Sequence, residues 1–360
     1  MHLKKIEILN LWDKAPLEIK FDNRVTFLTG INGSGKSSVL NIIYDSLSIH
    51  KDMPATSKNR FWSTNATFDN NISSYSCIFP LPESKEVILE KFENERHFHK
   101  QELLEELESL YISDKEELVK SVRYNEELKG HSAKFFLEEN GQAIPSNKHI
   151  RKLPNLFIFQ EDRECLHSSE KTNGIVNFSS FLFYKNSIDE RFAYIRESFA
   201  IYESRTSKRI EDILLKKEII SIEDLSNEKD HSFKSALQEI HEKSTILNYL
   251  NKYMELSGKK VCRDKENKIT LCKLNDNTPI NWSLLSRGEK TLIYLFLVAF
   301  IYKDSIFLLD EPEISLHVEW QKTLISDLSQ IAPTSQFIIA THSPTLIREG
   351  WVDNCLNIKI

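Results

Sequence analysis

Apolar positions along the chain change period in an ordered way. Leu3-Lys-Lys-Ile-Glu-Ile-Leu-Asn-Leu11 alternates and predicts a half-buried strand, whereas Val25-Thr-Phe-Leu-Thr29 is apolar enough for a strand covered on both faces. Ser38-Val-Leu-Asn-Ile-Ile-Tyr44 then shifts to helical spacing. Further strands are expected at Ser76-Cys-Ile-Phe79, Glu86-Val-Ile-Leu-Glu-Lys-Phe92 and Asn155-Leu-Phe-Ile-Phe-Gln160, with a charged helix from Gln101 to about Leu128 on Leu103, Leu107, Leu110 and Leu118. Two long helical stripes follow: Ile188, Phe192, Ile195, Phe199 and Tyr202, then Phe233, Leu237, Ile240 and Leu247. They predict either an antiparallel arm or two helices packed on the chain's own core. From Val261 the sequence turns extended, with Lys268-Ile-Thr-Leu-Cys-Lys-Leu274 and the turn Asn275-Asp-Asn-Thr-Pro279 predicting a hairpin. Leu292 to Ile301 reads as a helix buried on all sides. Ser305-Ile-Phe-Leu-Leu-Asp310 and Gln336-Phe-Ile-Ile-Ala340 are buried strands that end in polar residues.

This pattern predicts an α/β chain in three stretches. Residues 1–160 form an N-terminal lobe, 161–260 a helical insertion and 261–360 a C-terminal lobe. Composition narrows the class. At 360 residues, 40% of them hydrophobic, the chain has enough apolar content for a sizeable core. No apolar run approaches the roughly 18 residues of a membrane span, and Met1-His-Leu-Lys-Lys lacks the apolar segment of a signal peptide, so a soluble cytoplasmic protein is expected. The five cysteines, at 77, 165, 262, 272 and 355, show no C-x-x-C spacing and read as reduced structural thiols. A net charge of −6 argues against a generally basic nucleic-acid binder.

The chemistry is concentrated at four points. Gly30-Ile-Asn-Gly-Ser-Gly-Lys-Ser37 fits the P-loop pattern, in the strand-loop-helix context the pattern requires. Gly30, Gly33 and Gly35 permit positive φ and close approach of the backbone to phosphate, so that Asn32, Gly33, Ser34, Gly35, Lys36, Ser37 and Ser38 offer a nest of donors at a helix N-terminus. Lys36 would reach the terminal phosphates of ATP and the Ser37 hydroxyl would ligate Mg²⁺. Leu285-Ser-Arg-Gly-Glu289 opens the next helix. Ser286 and Glu289 can form a capping box, and Ser286 with the Gly288 backbone can alternatively cradle a second phosphate. Asp310 ends a buried strand where it can hold Mg²⁺, and Glu311 beside it can polarise an attacking water, although two acids after a strand also suit an ordinary turn. His342, after the strand 336–340, reaches the same sheet edge, where it would contact a γ-phosphate.

The order P-loop, Gln160, Leu285-Ser-Arg-Gly-Glu289, Leu308-Leu-Asp-Glu-Pro312 and His342 resembles the head of ABC-type ATPases over nearly the whole chain. Leu-Ser-Arg-Gly-Glu-Lys-Thr291 and Asp-Glu-Pro-Glu-Ile-Ser-Leu-His317, with Trp320-Gln321, resemble its non-transporter branch, the SMC/RecF-like repair ATPases and the AAA-15/AAA-21 proteins of phage-defence systems. The resemblance implies a P-loop parallel or mixed sheet, an antiparallel β lobe and a helical insertion. It implies that Gln160 senses Mg²⁺ and the attacking water, that Glu311, His342 and Lys36 serve catalysis, and that Ser37, Asp310 and Gln160 surround the metal. It also implies a head-to-head homodimer in which Ser286, Arg287, Gly288 and Glu289 complete the ATP site of the other copy, with Ser315-Leu-His317 at the seam.

Departures from the family pattern matter. Arg287 replaces the second glycine of the transporter signature, either to reach phosphate or as a solvent-exposed helix-start arginine. Gln160 lies on a short strand followed by Glu161-Asp-Arg163. No long heptad array, C-x-x-C hook or nuclease segment is visible, so any effector, such as a nuclease, is expected to be a separate protein. The function expected is an ATP-dependent dimerising switch in prokaryotic anti-phage defence. Two other readings stay open. One is a DNA-repair ATPase, for which Arg205, Lys208, Arg209, Lys216 and Lys217 are the best basic cluster, interrupted by Glu211 and Asp212. The other is a scaffold that binds ATP without hydrolysing it. A transporter subunit is disfavoured by the roughly 120 residues between Lys36 and Gln160.

Overall fold

The computed structural model describes residues 1–9, 16–47, 62–80, 119–123, 131–144, 152–160, 187–216, 231–348 and 350–358. The chain forms two compact units. The first comprises Met1–Gln160, Asp304–Pro312 and Thr334–Ile360; the second comprises Glu161–Lys303 and Glu313–Pro333.

In the first unit, a parallel sheet runs in the order β14 (Cys355–Asn357), β3 (Val25–Thr29), β13 (Gln336–Ala340), β12 (Ile306–Asp310) and β9 (Leu156–Gln160). Its strands read as unbroken apolar runs because both faces are covered. Four or more residues of each of β3, β13, β12 and β9 are buried. The register aligns Phe157 with Phe307 and Phe307 with Phe337, and their rings stack at 5.4 and 5.1 Å. One face is packed by α1 (Lys36–Leu47) through Val39, Leu40 and Ile43, all fully buried.

A second, antiparallel sheet runs β2 (Leu17–Lys20), β1 (Leu3–Leu9), β4 (Trp62–Phe68), β5 (Ile72–Pro80), β7 (His131–Glu139) and β6 (Val119–Arg123), with β8 (Gln142–Ala143) paired to β7. The two sheets are joined by Gln336. Its buried amide accepts from Leu3 N at 2.8 Å and donates to Leu3 O at 2.9 Å, standing in for a strand partner. The α/β class with two such sheets is the architecture expected from the sequence. One element differs. Val119–Arg123 is a strand, paired with β7 residues Phe135 to His131, where a helix was expected to continue to Leu128. Pairing across a sheet overrode local helical spacing there. The rest of that expected helix, and the expected strand at 86–92, lie outside the described residues.

The second unit is built on α2 (Ile188–Lys216), α3 (His231–Glu255), α4 (Arg287–Ile301) and α5 (Val318–Ile331), with a hairpin of β10 (Lys259–Arg263) and β11 (Ile269–Lys273). α4 is the all-round apolar helix, buried from Gly288 to Phe300. The α2 stripe is a true core face, with Phe192, Ile195 and Phe199 fully buried. The α3 stripe is not the one expected: Leu237 and Ile240 are exposed, and the buried face is Ile246, Leu250, Tyr253 and Met254. Among the described residues the fully buried apolar positions of α3 begin at Ile246, in its C-terminal half. The hairpin turn lies at 264–268, where Asp264 Oδ1 accepts from Lys268 N and Glu266 N. The segment 275–278 is a second turn, after which Pro279 bridges Cys272.

Candidate functional site

The C-terminal edge of the parallel sheet in the first unit gathers the chemistry. β3 delivers the chain into residues 30–35, and α1 begins at Lys36. Gly30, Gly33 and Gly35 have φ of 146°, 79° and 91°. The first of these is sterically obligatory: a Cβ at Gly30 would meet Ser34 Oγ at 2.6 Å and Ile358 O at 2.7 Å. Lys36 is 5% exposed and bends back over its own loop, donating to Gly30 O and Ile31 O at 3.2 Å each. Burial pushes its pKa down, while the charges of Glu311 and Asp310 oppose that shift.

β9, β12 and β13 contribute from the other side. Parallel register puts Gln160, Asp310 and Ala340 level with one another. Asp310 Oδ1 accepts from the Ser37 hydroxyl at 2.9 Å, and Oδ2 accepts from Gln160 Nε2 at 3.2 Å. Gln160 Nε2 also donates to Asn41 Oδ1 at 2.9 Å. Ser37, Asp310 and Gln160 are therefore one hydrogen-bonded cluster, with Gln160 presenting its amide N–H to Asp310. Asn41 was missed in the sequence, although it lies one helical turn after Ser37 and so on the same face of α1. Glu311 adopts φ of 48°, unusual for a residue with a side chain, and its N–H is held by Ala340 O at 2.8 Å. Its carboxylate lies 3.8 Å from His342 Nε2. Thr341, which precedes His342, accepts from Ser343 N at 2.9 Å.

This geometry suits a nucleotide polyphosphate with a divalent cation. The Ser34 hydroxyl is buried with no hydrogen-bond partner in the loop, as an anion-binding donor would be. A hydroxyl and a carboxylate already 2.9 Å apart are hard oxygen donors of the kind Mg²⁺ takes. Asn32 and Gly33 are exposed on the loop, and Ser38 is half-buried at the start of α1.

Signature residues 286–289 belong to the second unit. Ser286 caps α4, accepting from Glu289 N at 3.3 Å, while Glu289 Oε2 accepts from Ser286 N at 2.9 Å. Glu289 is 3% exposed and paired with Lys259 at 2.6 Å. Its carboxylate is thus spent within its own unit, where it shapes the turn. Ser286 and Arg287 are exposed, and Gly288 is buried. A Cβ at Gly288 would collide with the carbonyl oxygen of Ser315, whose own φ is 67°. In the basic cluster of α2, Arg209 is neutralised by Glu239 at 2.6 Å, and Lys217 lies outside the described residues.

Over residues 25–348 the sequence matches the AAA_21 family, described as "AAA domain, putative AbiEii toxin, Type IV TA system". The chain belongs to this family. AAA_21 membership makes it a nucleotide-binding P-loop protein of ATPase type. A curated relative, "Retron Vc95 probable ATPase" of Vibrio cholerae serotype O1 biovar El Tor, is 24% identical over 387 aligned residues, covering 95% of this chain and 71% of that protein. Two solved structures share 15% identity each. One, an SMC head bound to the C-winged helix domain of ScpA, aligns over 97% of this chain and 91% of its own with a TM-score of 0.47. The other, the SMC head domain from Thermotoga maritima, aligns over 97% and 92% with a TM-score of 0.41. Among the described residues no helix is long and apolar enough to cross a membrane.

Proposed function

We propose that this AAA_21 protein is an ATP-hydrolysing switch whose two copies join head to head around ATP and Mg²⁺ and thereby control a separate effector in prokaryotic defence. The observation that carries the hydrolytic part is the cluster of Ser37, Asp310 and Gln160 beside Glu311 and His342, at the mouth of a P-loop with an unpartnered buried hydroxyl.

When bound, the cation supplies Lewis-acid neutralisation of phosphate charge and the nucleotide supplies the phosphoryl group to be cleaved. The protein's residues do the rest. Ser37 and Asp310 hold the cation, and Gln160 fixes the Asp310 carboxylate from the adjacent strand. Lys36 exchanges two backbone carbonyls for phosphate oxygens. Glu311 accepts a proton from the attacking water, and His342 orients that carboxylate or donates toward the terminal phosphate. Ser286, Arg287 and the Gly288 backbone act on the site of the second copy, while Glu289 supports them as a cap partner.

The defence role is supported by the family description, the relative's name and the phage-defence proteins that the sequence resembles; effector control follows from that analogy. The test is a phosphate-release assay beside a sizing column. The wild type should release phosphate, and Glu311→Gln should release at least about 100-fold less while accumulating an ATP-dependent dimer. A Glu311→Gln protein that stays monomeric in saturating ATP and Mg²⁺ sinks the dimer reading, and equal phosphate release sinks the role of Glu311.

A further inference from the structure

The first turn of α4, which presents Ser286 and Arg287, is gripped by ion pairs at two consecutive positions. Glu289, almost fully buried, meets Lys259 Nζ at 2.6 Å. Lys290, equally buried, meets Asp189 Oδ1 at 2.5 Å, donates to Ser283 O at 3.0 Å and lies 5.9 Å above the Trp282 ring. One partner lies on a long helix and the other on the strand that follows one. Asp189 is the second residue of α2, and Lys259 opens β10 just after α3.

The same two helices are tied down elsewhere in the unit. Tyr194 of α2 hydrogen-bonds Tyr302, the C-cap of α4, at 3.0 Å, and Phe199 meets Phe300 edge-on at 6.2 Å. Tyr253 of α3 donates to Asp327 of α5 at 2.6 Å and lies 2.8 Å from Thr323. α2 is 29 residues, about 43 Å long, and its buried stripe ends near Phe199. Beyond it Thr206 and Arg209 of α2 meet Glu239 of α3, and Glu203 of α2 pairs with Lys243 of α3 and with Arg263 of β10. A displacement of the α2–α3 pair would reach residue 290 through Asp189 on α2 and residue 289 through Lys259 on β10, whose Arg263 is tied to Glu203 of α2; Glu289 and Lys290 are buried, so breaking either pair leaves a charge uncompensated.

We propose that Asp189 and Lys259 are positioning residues for the signature turn: they couple the tilt of the α2–α3 pair to the presentation of Ser286 and Arg287 toward the second copy. This rests on the trans role proposed above for those two residues. An effector that grips the distal half of α2 and α3 would thereby raise or lower ATP-dependent dimerisation without touching nucleotide, which is a coupling free energy between two sites.

The experiment places Lys259→Met, Lys259→Arg, Asp189→Asn and the charge swap Asp189→Lys with Lys290→Asp in the Glu311→Gln protein. Fluorescent nucleotide bound by dilute monomer should keep its affinity within about two-fold in every variant, because the P-loop belongs to the other unit. Lys259→Met and Asp189→Asn should weaken the ATP-dependent dimer at least about 10-fold and speed amide exchange at residues 286–292 in the monomer by a similar factor. Lys259→Arg and the swap should recover most of both. Unchanged exchange overturns the proposal, and so does faster exchange with an undiminished dimer, which would make the pairs structural only. If the Glu311→Gln parent never dimerises, the trans reading has failed, and monomer exchange with its recovery in the two rescue proteins still decides whether Asp189 and Lys259 hold the turn.

Discussion

Ser37 and Asp310 are hydrogen-bonded at 2.9 Å across 273 residues of sequence. A hydroxyl on a helix N-terminus and a carboxylate on a strand end meet where a hard cation would replace the shared proton contact. Asp310→Asn should therefore erase the Mg²⁺-dependent part of nucleotide binding and little else. In the wild type, ATP should raise the melting temperature more with Mg²⁺ than with EDTA; in Asp310→Asn the two shifts should coincide. A tenfold loss of affinity removes about 1.4 kcal/mol of ligand stabilisation at high ATP, which such a melt resolves. A Mg²⁺ increment that survives in Asp310→Asn would place the cation elsewhere.

Lys36 is a charge kept under cover, donating to two carbonyls of its own loop. Lys36→Met should abolish the ATP-induced shift and at the same time raise the ligand-free melting temperature at neutral pH. The sign follows from burial, which lowers the Lys36 pKa in the folded state. Below both pKa values the folded protein carries the full cost of a desolvated ammonium. As pH rises through the folded pKa toward the unfolded one, the unfolded chain binds more protons and stability increases. The advantage of Lys36→Met over wild type should shrink across that alkaline window. An advantage that grows with pH contradicts the assignment.

Gly288 is where α4 and the segment before α5 touch backbone to backbone. Gly288→Ala should cost about 1–3 kcal/mol, the range for overpacking a well-filled site. Because the collision is with the Ser315 carbonyl, Ser315→Gly should not relieve it. A Gly288→Ala protein that melts with the wild type would show that the two backbones are not in contact.

Glu311 holds a left-handed backbone that costs an ordinary residue about 1–2 kcal/mol. Glu311→Gly and Glu311→Ala should be equally defective in phosphate release, with the glycine protein the more stable by about 1 kcal/mol in chemical denaturation. Equal stability would mean that the backbone at 311 relaxes once the carboxylate is gone.

The sequence made the sheet edge readable because each chemical group follows a strand too apolar to be mistaken: Val25–Thr29 before the loop, Ile306–Asp310 before Glu311, Gln336–Ala340 before His342. Parallel strands in one register place such ends side by side without further information. The capping box at Ser286 and Glu289 was equally visible, since its spacing is local. What could not be read was long-range. Lys259 and Asp189 look like ordinary surface charges until α4 buries their partners, and Gln336 gives no hint that it stands in for a strand edge opposite Leu3. The exposed Leu237 and Ile240 misled for the same reason: periodicity reports that a helix has an apolar face and is silent on how far its neighbour extends.

β13 lies between β3 and β12, so the strand that joins the P-loop to Asp310 is made after both of them. A ribosome that has finished residue 330 has synthesised every phosphate-binding group of the loop and both acids, yet β3 and β12 still lack their common neighbour. Parallel pairing at such sequence separation is slow, and an apolar strand waiting for a partner invites association with other chains. Competence to hold nucleotide would thus appear late in synthesis and abruptly. A nascent chain stalled before Gln336 should bind none, whereas one carried past Asn357 and clear of the exit tunnel should bind as the finished protein does.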